Sequence, residues 1–110
     1  MEGLVKGDII VLEFPFSNLT EYKRRPSLVI KSPKGEDLIV CQITGKSYEK
    51  LVEISLKKED FCQGSLKFES FLRIDKIFSI EKSLIKYKVG SLKKEKFNEI
   101  IEAVCHYLRN

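Results

Sequence analysis

The chain has 110 residues, of which 43% are hydrophobic and 33% charged, and a formal net charge of +4. That length builds one core and not two, so a single domain over residues 1–110 is expected, and the composition excludes a disordered chain. No apolar run approaches the roughly 18 residues of a membrane span, and the start, "MEGLVKGDII", lacks the parts of a signal peptide. The expectation is a cytoplasmic protein with no membrane partner.

"GDIIVLEFPF" (7–16) opens on a turn and continues with apolar and β-branched residues until Pro15, which predicts a strand that ends or lies at an edge there. "SNLTEYKRR" (17–25) is polar and aperiodic and is predicted as a loop. Pro26 fixes its own φ and drives Arg25 toward an extended backbone, and a second strand is predicted over 27–32. "PKGED" (33–37) reads as a turn. "LIVCQIT" (38–44) reads as a strand too apolar to leave one face in water, and "GKSYEK" (45–50) as a loop. "LVEISL" (51–56) alternates like a half-buried strand, whereas residues 57–69 read as irregular with room for one helical turn. "SFLRIDKIFSI" (70–80) alternates for longer, with Leu72, Ile74, Phe78 and Ile80 expected on one face and Phe71, Arg73, Asp75 and Ile77 on the other. A short element follows over 82–90. The period then changes: Phe97, Ile100, Ile101, Val104 and Leu108 recur at helical spacing, with Ser91 as the expected N-cap. Short strands followed by one terminal helix predict a mainly β protein, a strongly curved antiparallel sheet or small barrel.

Cys41, Cys62 and Cys105 are odd in number and show no C-x-x-C spacing. They argue against a disulfide framework or a zinc site and read as small buried hydrophobes, so neither metal nor other cofactor is expected.

Charge is unevenly placed. Five basic residues and no acidic one lie from Tyr22 through Lys34, a local cationic stretch suited to a polyanion. Arg25, held at a strand start by Pro26, can present its fork of donors to phosphate, or serve as a surface arginine. Thr44 stands before Gly45 at a strand end, where its hydroxyl can meet a phosphate or sugar oxygen, or bond its own turn. Arg73 and Asp75, two apart on a strand, share a face and either pair with each other or act on a ligand.

Four segments in this order, "KGDIIVLEFPFSNLTEYKRRPSLVI", "IVCQITGKS", "SFLRIDKIFSIEKSLI" and a closing helix, resemble the MazF/PemK family of type II toxin–antitoxin toxins. The resemblance implies an SH3-like small barrel of the MazF/PemK/CcdB type. It also implies a homodimer that acts as an endoribonuclease on single-stranded messenger RNA without a metal. The partner implied is a cognate antitoxin with an acidic, flexible C-terminal segment. Catalytic residues carried over are Arg25, Thr44 and Asp75. The RNA contacts expected beside them are Arg73, Arg24, Lys23, Tyr22 and Lys46. The loop before Arg25 departs from the family in lacking both glycine and histidine; Tyr22 offers a base-stacking surface there instead.

In the chemistry expected of such a site, the RNA's own 2′-hydroxyl attacks the adjacent phosphorus, giving 2′,3′-cyclic phosphate and 5′-hydroxyl ends. Arg25 and Thr44 would bind the phosphoryl oxygens, Arg73 would add charge, and Asp75 would act as base or orient Arg73. The alternatives are a gyrase-poisoning toxin of the same fold and a non-catalytic SH3-like binding module.

Overall fold

The structure, a computed structural model, describes residues 3–15 and 22–110. Seven strands form one antiparallel sheet: β1 (Asp8–Pro15), β2 (Tyr22–Lys31), β3 (Asp37–Thr44), β4 (Glu53–Leu56), β5 (Phe61–Gly64), β6 (Ser70–Glu81) and β7 (Ile85–Leu92). The helix α1 (Lys94–Arg109) closes the chain. The order across the sheet is β4-β6-β3-β2-β1-β7-β5. β4 and β5 are the two edges, yet only residues 57–60 join them. A connection that short brings the edges together, so the sheet curls toward a barrel.

Both faces of the middle strands are covered, which is why their sequences run apolar without alternation. Ile9, Leu28, Cys41, Ile43 and Leu72 pack on one face with Phe97, Ile100 and Val104 of α1. Ile10, Leu12, Val29, Leu38 and Val40 form a second cluster on the opposite face. Among the described residues no helix is long and apolar enough to cross a membrane.

Several sequence expectations need correction. Strand β2 begins at Tyr22 instead of Ser27, because residues 22–26 pair along β1 through their backbones, from Pro15↔Tyr22 to Val11↔Pro26, whatever their side chains. Residues 61–64, read as irregular, form β5 against β7. That pairing depends on Gly64 and Gly90: a Cβ on Gly64 would lie 2.1 Å from the Val89 carbonyl oxygen, and one on Gly90 2.2 Å from that of Gln63.

Ser91 does not cap the helix. It lies in β7, and its hydroxyl donates to Asp8 Oδ1 at 2.8 Å. The buried Asp8 carboxylate also accepts from the Val5 N–H at 2.9 Å and pairs with Lys88 at 3.3 Å. Lys93 holds the N-cap position, and Leu108 points to solvent. Of the cysteines only Cys41 is buried; Cys62 and Cys105 are exposed.

The faces of β6 also differ from simple alternation. Cys41 pairs with Ile77 but Ile43 with Leu72, so two steps along β3 face five along β6. This irregularity turns Ile77 onto the cluster under α1, sends Ile80 to the opposite cluster, and leaves Phe78 exposed.

Candidate active site

Pro26 determines where the candidate site opens. The β2–β3 ladder runs from Lys31↔Ile39 to Ser27↔Gln42 and stops at Pro26, which has no N–H to donate. Beyond that point β2 pairs with β1, while Ile43 and Thr44 pair with β6. Continuing the β2–β3 register past its last pair sets Arg25 opposite Thr44, where the two strands are no longer tied. Residues opposite each other on neighbouring strands share a face. Arg25 and Ser27, Gln42 and Thr44, Phe71 and Arg73, and Ser55 and Glu53 therefore stand on one face of four adjacent strands.

On this face Thr44 is 5% exposed, and its Oγ1 accepts the Lys46 backbone N–H at 3.3 Å. The hydroxyl thus closes its own turn, and an oxygen that accepts in this way keeps its hydrogen to donate. Arg25 is half-buried. Arg73 and Asp75 form a two-point pair, Nε to Oδ1 at 2.8 Å and Nη2 to Oδ2 at 2.7 Å. Their hydrogen bonds hold the Asp75 carboxyl below the usual carboxylate range and raise the Arg73 guanidinium further. Both oxygens of Asp75 are thereby engaged by a cation, an arrangement that makes it a weak base.

Glu53, opposite Arg73 in the ladder, was not singled out in the sequence. Its carboxylate accepts the Ser47 hydroxyl at 2.6 Å and the N–H groups of Tyr48 at 2.7 Å and Glu49 at 2.9 Å. It therefore ties down the segment that follows Thr44, and the bonds from Glu49 and Ser47 lower its pKa. A carboxylate six residues before or after its partner leaves no periodic signal in the sequence. Ser27, fully buried, and Ser55 carry no signal in the sequence; neither Oγ finds a hydrogen-bond partner among the described residues.

The structure separates some predicted contacts. Arg24, adjacent to Arg25 on β2, points to the opposite face and lines a groove with Val11 and Pro26. Lys46 is exposed beside Thr44. Tyr22 and Lys23 belong to β2, but their side chains lie outside the described residues. Among the described residues no three His, Cys, Asp or Glu side chains gather as metal ligands.

Among curated proteins none matches this chain. Solved structures match closely in fold at low identity. An endoribonuclease in complex with its cognate antitoxin, from a mycobacterial species, superposes with a TM-score of 0.75 at 14% identity, covering 96% of this chain and 95% of that one. The Mycobacterium tuberculosis toxin MazF-mt6 gives 0.72 at 19% identity, over 93% and 96% of the two chains. The MazE–MazF complex of Deinococcus radiodurans gives 0.75 at 18% identity, over 96% and 95%. The sequence model of the PemK-like, MazF-like toxins of type II toxin–antitoxin systems matches residues 5–108. The chain belongs to that family of toxins.

Proposed function

We propose that this toxin is an endoribonuclease that cleaves single-stranded messenger RNA at short sequences without a metal. The observation that supports the reading is the end of the β2–β3 ladder at Pro26, with Arg25 and Thr44 opposite each other just past it on the face that also bears Arg73 of the Arg73–Asp75 pair. Two arginines and a hydroxyl on that one face offer donors for phosphoryl oxygens.

The reaction forms a bond from the 2′-oxygen to phosphorus and breaks the bond from phosphorus to the 5′-oxygen. The 2′-hydroxyl loses its proton and the departing 5′-oxygen gains one, leaving a 2′,3′-cyclic phosphate and a 5′-hydroxyl. Arg25 binds the phosphoryl oxygens as their negative charge grows, and Thr44 donates to one of them. Arginine stays protonated near neutral pH, so its contribution is electrostatic. Of the two roles open to Asp75, its engagement by Arg73 supports the positioning role: it holds the guanidinium flat toward the RNA.

One similar structure is an endoribonuclease in complex with its cognate antitoxin. The partner proposed here is an antitoxin whose acidic flexible segment meets the cationic end of β2, and the active assembly is a homodimer. Incubation with long single-stranded RNA in excess chelator tests the reading. Cleavage supports it. Intact RNA at high protein concentration overturns the ribonuclease assignment, and cleavage that stops only with chelator overturns the metal-free chemistry.

A further inference from the structure

On the sheet face away from Arg25 a groove of about 580 Å³ runs beside β2. Its floor is a row in register across three strands, Tyr87, Val11 and Pro26. Its other wall is residues 65–68, with Lys67 and Phe68 reaching the groove, and Arg24 stands two residues before Pro26. Phe68 is 80% exposed and Tyr87 49% exposed, so neither ring is placed there to fill a core. The lining holds two cations and no carboxylate. The nearest acid in the ladder, Glu13 opposite Arg24, pairs with Lys86 at 3.2 Å.

We propose that this groove is a second nucleotide subsite, which takes a base of single-stranded RNA against Phe68 and Tyr87 and its flanking phosphates on Arg24 and Lys67. The proposal rests on the RNA-cleaving reading and extends it. Aromatic rings with exposed faces, set between cations, make a stacking platform that tolerates any base. Successive arginines on an extended strand point to opposite faces. A strand of RNA passing the parted end of β2 thus meets Arg25 on one side and Arg24 on the other. An acidic peptide would use the same cations but has no need of two open ring faces.

The test uses 2′-O-methyl oligonucleotides of mixed sequence, three to twelve nucleotides long, which bind but lack the attacking hydroxyl. Amide chemical shifts of the intact protein are followed on addition of a six-nucleotide probe, and affinities by fluorescence anisotropy. The expected result is shift changes at Lys67, Phe68 and Tyr87, and at least about fivefold weaker binding of the longest probe for each of Phe68→Ala and Tyr87→Ala. The gain in affinity with probe length falls in both. Lys67→Glu, a surface change, is expected to weaken binding and flatten its salt dependence by about one unit of slope. Shift changes absent from residues 65–68 and 87, or folded variants that bind every length as the wild type does, overturn the subsite. So does a response of these residues to a Glu/Leu-rich peptide and not to the oligonucleotide. Cleavage of unmodified RNA by the wild type is read separately, so failure of the ribonuclease reading and failure of the subsite are told apart.

Discussion

Arg73 and Asp75 face each other through two parallel hydrogen bonds of 2.8 and 2.7 Å, although they stand only two residues apart on one strand. The fork lies where β6 departs from regular pairing with β3, beside Gln42 and Thr44. A planar guanidinium held at two points cannot swing, and a planar partner is what a phosphate's two oxygens need. The same bonds occupy both carboxylate oxygens of Asp75.

The pair sets a dependence on acid. Asp75 titrates below its ordinary 3.8, chiefly because Arg73 bonds its ionised form. A carboxyl lowered on folding stabilises the native state above its unfolded pKa, and this contribution is lost as pH falls through the folded value. Urea midpoints measured from pH 5 to 2 are expected to fall for the wild type and to fall less for Asp75→Asn. Some slope persists in the variant, since Glu53 is lowered too.

Glu53 is expected to matter for activity without touching RNA. Glu53→Ala removes the acceptor for Ser47, Tyr48 and Glu49 and frees the segment that follows Thr44. Hydrogen exchange at Tyr48 and Glu49 should quicken, and cleavage should slow by up to about 100-fold, the scale of a small misplacement in a reacting geometry. Unchanged exchange at those amides would contradict the fastening role.

The thiols should separate cleanly. Burial, with a smaller push from Asp75, raises the Cys41 thiol to about 12, while Cys62 and Cys105 are exposed. An aromatic disulfide reagent is expected to titrate two thiols in the native protein and the third only on unfolding.

Gly64→Ala is expected to cost about 3 kcal/mol or more, because its Cβ would meet backbone on β7 at 2.1 Å and its φ is +63°. Gly35→Ala, with φ +111° but open space around it, is expected to cost only about 1 kcal/mol. Thermal or urea unfolding of the two variants checks the contrast.

These features also show what the sequence could and could not reveal. The apolar runs of β1 and β3 were legible because both faces are buried, and the helical period of α1 because Phe97, Ile100 and Val104 seat on one stripe. The polar start of β2 was not, since backbone pairing with β1 holds it whatever its side chains. Strand β5 is four residues long and depends on Gly90, far along the chain in β7. The shift in β6 register cannot be read from alternation, so Ile77 lies on the face that alternation assigns to Phe78 and Ile80, and those two on the other. Of the candidate site, strand ends and spacing pointed to Arg25, Thr44 and the Arg73–Asp75 pair as candidates, and the ladder register sets Arg25, Thr44 and Arg73 on one face. Glu53 was not, because its partners are backbone groups of a loop.

The sharpest measurement compares wild type and Arg25→Ala, matched for folding by thermal melting, in single-turnover cleavage of long single-stranded RNA with chelator in excess. The wild type is predicted to cut and to leave 2′,3′-cyclic phosphate and 5′-hydroxyl ends, and the variant to be slower by about 10²–10³-fold. Cleavage at equal rates by the two proteins, or 3′-hydroxyl ends from the wild type, would contradict the placing of the reaction at Arg25.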